Sequence, residues 1–199
     1  MVSASAPRVG VLALQGGVRE HVEVLAHLGA RVSRVRRPEE LAAVDGLVIP
    51  GGESSVIDKL ARAFDLRAPV VAAIRAGLPV YGTCAGLILL ADRLRDGIAG
   101  QVTFGGLDIA VRRNAFGSQA ESFEADLDVP VLGDPPVSAA FIRAPVVEEV
   151  GAATPLAALP DGRVVAVEQG PLLATSFHPE VSGETRFHAR FLRNVRAAA

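Results

Sequence analysis

The chain has one cysteine, Cys84, one lysine, Lys59, and no apolar run long enough to cross a membrane. A single cysteine excludes an internal disulfide, which fits a reducing compartment. With one lysine, arginine supplies almost all the positive charge, and the formal net charge is −2. The strongly basic footprint of a nucleic-acid binder is therefore missing. The longest uncharged stretch, residues 76–91, is interrupted by Pro79, Gly82 and Gly86. It also falls short of the ~20 residues a membrane helix needs. Residues 1–7 lack the positive start and long apolar core of a signal peptide. No internal repeat, low-complexity tract or linker is visible. The expectation is a soluble, cytoplasmic protein with neither nucleic-acid nor membrane partners. What is present is 199 residues, half of them hydrophobic. That suits one domain, residues 1–199, around a single core.

Taken in order, the chain reads as α/β. Residues 8–14 and 30–35 form short strands. Between them Val18, Val22, Leu25 and Leu28 share one helical face, and Gly29 supplies the C-terminal stop. Strand, helix and strand over about 30 residues make a βαβ unit, so the pairing is parallel. Residues 46–49, apolar throughout, form a third strand covered on both faces. It runs into Pro50-Gly51-Gly52-Glu53-Ser54-Ser55, an exposed turn whose serines can cap a helix. Residues 56–77 hold one helix or two, with Pro69 as the break. Residues 78–81 form a strand, and a helix beginning near Leu87 ends near Arg95. From Leu107 the texture turns strand-rich. Residues 107–111, 122–127 and 137–142 read as strands, and residues 163–167 and 172–177 as a hairpin. A last helix over about residues 182–195 carries Phe187, Phe191 and Val195 on one face. The expected architecture is a doubly wound, mostly parallel but mixed sheet flanked by helices.

Between the strand at residues 78–81 and the helix after it lies Gly82-Thr83-Cys84-Ala85-Gly86. That is the shape of a nucleophile elbow with cysteine in place of serine. At a helix N-terminus the backbone N–H groups and the dipole favour the reactive thiolate. The glycines suit a tight turn, where a side chain at either flank would collide with strand or helix. A lone cysteine in an apolar stretch is more often an inert core residue, and the flanking glycines bring the two readings level.

A cysteine nucleophile needs a base, and the base needs an orienter. Of the four histidines, His21 and His27 on the first helix and His188 on the last read as surface or packing residues. His178 differs, because it follows the strand at 172–177 at the end where open α/β sheets build their sites. Pro179 holds Glu180 in fixed relation to it. Glu180 can take a hydrogen bond from one imidazole nitrogen and leave the other for Cys84, in the manner of a Cys-His-Glu triad. One cysteine and one well-placed histidine argue against a metal site.

Gly-Thr-Cys-Ala-Gly, Ser-Phe-His-Pro-Glu and Pro-Gly-Gly-Glu-Ser together resemble the class I (triad) glutamine amidotransferases. Further strings narrow the resemblance. Leu14-Gln15-Gly16 with Arg19-Glu20-His21, Arg113-Asn114 with Phe116-Gly117, Ser122-Phe123-Glu124-Ala125 and Phe141-Ile142-Arg143-Ala144-Pro145 are similar to the glutaminase subunits of pyridoxal 5′-phosphate synthase. The likeness runs from about Val9 to Phe191. Gly17, Ser55 and Ser118 depart from the pattern, where alanine, threonine and a long basic residue are expected.

The resemblance implies a flavodoxin-like amidotransferase fold and hydrolysis of L-glutamine to glutamate and ammonia. It implies that Cys84 attacks the side-chain amide, His178 moves the proton and Glu180 orients His178. By the same resemblance, the backbone N–H groups of Gly52 and Ala85 form the oxyanion hole. Gly52, Glu53, Ser54, Arg113, Ile142 and Arg143 match glutamine-binding positions. It implies no cofactor and no metal. The ammonia would pass to a separate (β/α)₈-barrel synthase subunit in a large hetero-oligomer, and that partner would switch the glutaminase on. A glutaminase serving another pathway, a different cysteine-elbow enzyme and a non-catalytic glutamine-binding module are the rival readings.

Overall fold

A computed structural model describes residues 5–113 and 122–198. Asn114, Phe116, Gly117 and Ser118 lie outside the described residues. Strand β1 (Arg8–Leu12), helix α1 (Val18–His27) and strand β2 (Arg31–Val35) make the expected βαβ unit, with β1 and β2 parallel. The short helix α2 (Pro38–Leu41) leads to β3 (Gly46–Ile49). Helices α3 (Ser54–Ala63) and α4 (Arg67–Arg75) follow, then β4 (Val80–Thr83) and α5 (Ala85–Leu90). The second half runs β5 (Ala91–Arg95), β6 (Leu107–Arg112), β7 (Phe123–Leu127), β8 (Val137–Phe141), β9 (Val146–Val150) and β10 (Thr154–Ala158). The hairpin β11 (Val164–Gln169) and β12 (Leu172–Thr175), the turn of helix α6 (Pro179–Ser182) and α7 (Arg186–Ala198) close the chain.

Several boundaries differ from the sequence reading. Residues 54–75 form two helices, but the break is at residues 64–66, where Asp65 takes a positive φ of 55°. Pro69 sits in the first turn of α4 instead, where its missing N–H is no loss. The α3 cap is Glu53, whose carboxylate accepts from Ser55 N and from Ser55 Oγ at 3.0 Å, rather than a serine. The helix after the elbow stops at Leu90, and residues 91–95 become an edge strand parallel to β6. The reason is tertiary: the segment pairs with β6, and Arg93 and Arg95 meet Asp108, Glu148 and Glu149 across neighbouring strands. Strands β9 and β10 were not read from sequence. Pro155 disguised β10, which pairs with β11 through register shifts around Ala157. The final helix starts at Arg186, after Gly183 ends α6 in the left-handed conformation.

The main sheet has ten strands in the order β2-β1-β3-β4-β12-β11-β9-β6-β5, with β10 beside β11. The run β2-β1-β3-β4-β12 is parallel throughout. Beyond it β11 and β9 run antiparallel to their neighbours, so the sheet is mixed. A separate two-stranded ribbon pairs β7 with β8. Side chains alternate across each strand. Leu12, Leu47, Ile49 and Val80 pack on one face with Ile57, Leu66 and Val70 of α3 and α4 and with Leu87 of α5. Val9, Val11, Val48 and Tyr81 pack on the other with Leu25 of α1 and Phe187, Phe191 and Val195 of α7. Both faces are covered, which explains why the parallel strands read as unbroken apolar runs. No helix among the described residues is long and apolar enough to cross a membrane.

Candidate active site

Strands β1, β3, β4 and β12 are neighbours and all parallel, so their C-terminal ends open on the same edge of the sheet. Four loops leave that edge: Gln15-Gly16-Gly17, Gly51-Gly52-Glu53, Cys84, and Phe177-His178-Pro179-Glu180. They enclose a cleft of about 460 Å³ lined by Cys84, His178, Glu180, Gly52, Glu53 and Ser54 together with Arg113, Ile142 and Arg143. The clustering follows from the topology, since a crevice at strand C-termini is the natural site of an open parallel sheet.

Cys84 occupies the step from β4 into α5 with φ 50° and ψ −99°. For a non-glycine residue this is a strained conformation, of order 1–3 kcal/mol, and it aims the side chain out of the turn. The glycines make the turn possible. A Cβ on Gly86 would lie 2.2 Å from the carbonyl oxygen of Ile49, and one on Gly82 would lie 2.6 Å from the backbone of Gly86. Cys84 N donates to Thr175 O at 2.8 Å, which ties the elbow to the strand that delivers His178.

His178 Nδ1 and Glu180 Oε1 are 2.7 Å apart. The other ring nitrogen is left for Cys84, which lines the same cleft. His178 lies against Gly51, where a Cβ would come within 2.3 Å of its Cε1. That glycine is therefore a space for the ring. Burial by itself would lower the His178 pKa, but the hydrogen bonds and charges of Cys84 and Glu180 outweigh it and push it up to about 10. Burial would raise the Glu180 carboxyl; the His178 hydrogen bond and the neighbouring His21 and His178 instead hold it below the ordinary carboxylate value.

Glu53 and Arg113 form an ion pair at 2.6 Å beside the cleft. Gln101 joins this group, accepting from Arg113 Nη1 at 2.7 Å and donating to Ser54 Oγ at 2.9 Å. The Gly51-Gly52 peptide is oriented by Gly17 N, which donates to Gly51 O at 3.0 Å. Glu53 N donates to Gln15 Oε1 at 2.8 Å. Arg143 has a positive φ of 46°, and Ile142 before it is 44% exposed at the cleft mouth. The structure thus brings together Cys84, His178, Glu180, Gly52, Glu53, Ser54, Arg113, Ile142 and Arg143; Ala85 follows Cys84 as the first residue of α5.

Sequence reasoning gave no site role to four residues near the cleft. Gln15 gave a signal, standing directly after the first strand. Gln101 gave none, lying in an irregular segment. His21 and His188 are fully buried packing residues that hydrogen-bond to each other at 2.9 Å; His21 falls on the Val18, Leu25 stripe of α1, where burial could have been read. Among the described residues no three His, Cys, Asp or Glu side chains converge to hold a metal ion.

Residues 11–197 match the SNO glutamine amidotransferase family. The pyridoxal 5′-phosphate synthase subunit PdxT of Leifsonia xyli subsp. xyli (strain CTCB07) is 69% identical over 193 residues, covering 96% of this chain and 98% of the relative. The protein of the same name from Streptomyces avermitilis is 59% identical over 96% of this chain and 95% of its own length. A solved structure described as a glutamine amidotransferase superposes with a TM-score of 0.87 at 45% identity, covering 94% of this chain and 98% of its own. A putative GMP synthase protein from Thermoplasma acidophilum, at 20% identity and a TM-score of 0.70 over 98% of this chain and 96% of its own, shares the fold.

Proposed function

Because the chain belongs to the SNO glutamine amidotransferase family and is a glutamine-hydrolysing enzyme subunit, we propose that Cys84, His178 and Glu180 carry out that hydrolysis. We place the chain, as a single amidotransferase domain, in the cytoplasmic synthesis of pyridoxal 5′-phosphate. The observation that carries the proposal is the contact series in the cleft. Glu180 holds His178 Nδ1 at 2.7 Å, which leaves the other imidazole nitrogen for Cys84 in the same cleft.

In this reading the thiol proton of Cys84 already rests on His178, whose pKa is raised, and Cys84 Sγ attacks the side-chain amide carbon of glutamine. The tetrahedral oxyanion is stabilised by the N–H groups of Ala85 and Gly52. Each such donor is worth roughly 3–4 kcal/mol of barrier lowering. The C–N bond then breaks, and His178 returns its proton to the departing ammonia. Water, deprotonated by His178, cleaves the glutamyl thioester to glutamate and restores Cys84. Arg113, partly buried beside the cleft, suits the α-carboxylate of glutamine, with Glu53, Ser54, Ile142 and Arg143 completing the pocket. The ammonia goes to a (β/α)₈-barrel synthase subunit in a larger hetero-oligomer.

The test is Cys84→Ala assayed together with the barrel subunit. Glutamine-dependent synthesis is expected to fall by at least about 10³-fold, while synthesis from an ammonium salt persists. Retained glutamine-dependent synthesis would end the mechanism, and loss of both activities would assign Cys84 a structural role.

A further inference from the structure

Behind the triad, on the side away from the cleft, lies a second buried pair of imidazoles that the mechanism above does not use. His21 of α1 and His188 of α7 are both 0% exposed. His21 Nδ1 is 2.9 Å from His188 Nε2. The other nitrogen of His21, Nε2, is 3.1 Å from Thr83 Oγ1, the residue before Cys84, and 3.6 Å from Glu180 Oε1. Glu180 Oε2 and His188 Nδ1 are buried with no hydrogen-bond partner among the described residues.

These contacts select one proton arrangement. If His21 carried its proton on Nδ1, its Nε2 lone pair would face the Glu180 carboxylate. His188 would then have its proton on Nδ1, a buried donor bonded to nothing. If His188 donates from Nε2 to His21 Nδ1, the unpartnered His188 Nδ1 is only an acceptor. His21 then carries its proton on Nε2, facing both Thr83 and Glu180. The second arrangement avoids a lone pair against an anion and a stranded donor, each costly in a dry interior. Burial lowers the pKa of His21, and burial with the neighbouring His21 pushes His188 down to about 3. Both rings are therefore neutral in the physiological range.

We propose that His21, set in its Nε2–H tautomer by His188, is a positioning residue that steadies the Glu180 carboxylate and the Thr83-Cys84 step of the elbow. It extends the Cys84-His178-Glu180 series by a fourth, buried member. The groups facing His21 are Glu180 and His178 at the α6 turn, His188 of α7, Tyr81 and Thr83 of β4, and Glu20 on its own helix. Of these only Glu180 is a buried anion within 4 Å of the ring. The inference rests on the triad reading above, so its readout is made independent of glutamine turnover.

The single cysteine allows alkylation of Cys84 by iodoacetamide to be followed against pH on the full chain. If His21 supports Glu180, and Glu180 supports the His178 imidazolium, removing the Nε2–H shifts the acid limb of alkylation upward. His21→Phe is expected to raise that limb by about half a pH unit or more. His21→Gln, whose amide can stand in for Nε2–H, is expected to keep it within about 0.2 unit of wild type. An unmoved limb in folded His21→Phe overturns the proposal, as does an equal shift in His21→Gln. Should His21→Phe not fold, His188→Met decides. It removes the donor that sets the tautomer, an upward shift supports the proposal, and a limb matching wild type overturns it. Failure of the functional reading appears elsewhere, as wild-type chain with its synthase subunit that hydrolyses no glutamine.

Discussion

The His178 imidazole sits where opposing forces meet. Burial disfavours its charge, while Cys84 and Glu180 favour it and prevail. A histidine whose pKa is raised on folding contributes stability that is fully present below its unfolded value, near 6.5, and is lost as pH rises towards about 10. The unfolding free energy of wild type relative to His178→Gln is thus expected to be greatest near pH 6. It should shrink by more than about 1 kcal/mol by pH 9.5. Urea titrations at both pH values check this, and a gap that grows with pH would contradict it. At this scale the sequence was informative about chemistry and silent about surroundings. Cys84, His178 and Glu180 could be singled out because Cys84 has a glycine two residues away on either side and Pro179 stands between His178 and Glu180. His21 and His188 could not, since they are 167 positions apart and only folding brings them into contact.

The elements matter here as carriers. Helix α7 covers β4 from the face opposite α5, and its Phe191 is fully buried against Tyr81 at a ring separation of 6.1 Å. A Cβ added to Gly46 of β3 would come within 3.1 Å of the Phe191 ring, so the glycine leaves room for it. Phe191→Ala is expected to destabilise the fold by about 3–5 kcal/mol, seen as a lower urea midpoint. A loss under about 1 kcal/mol would mean that α7 is not held by this face. By contrast, the ion pairs of Arg93 and Arg95 on edge strand β5 are between half-exposed side chains and are worth little. Strongly periodic elements were legible: α1, β3, β4, the β11–β12 hairpin and the Phe187, Phe191, Val195 face of α7. The strand at residues 91–95 was not, because pairing with β6 rather than local propensity decides it.

At the scale of the molecule, the cleft lies at one edge of the sheet, and its mouth carries exposed apolar side chains, Ile142 at 44% and Val181 at 53%. Two glycine-rich turns, residues 15–17 and 51–52, touch there through Gly17 N and Gly51 O. If the synthase partner proposed above docks at this edge, it presses on both turns, which can reorient a peptide bond without side-chain hindrance. Glutaminase kcat is therefore expected to rise at least about tenfold when the barrel subunit is added. Equal rates with and without it would refute coupling through these turns. The amino-acid sequence by itself determined the chemistry on offer: one thiol between glycines, one histidine locked to a carboxylate by proline, and a parallel sheet implied by apolar runs. These are local properties, carried by neighbours in the chain. The tertiary structure alone decided that β1, β3, β4 and β12 lie side by side, so that their loops converge on one cleft. It alone placed Gly51 against His178, Arg113 against Glu53, and a buried imidazole pair behind Glu180. Such contacts depend on strand order and helix packing, whose energies are summed over the whole core and written in no single segment.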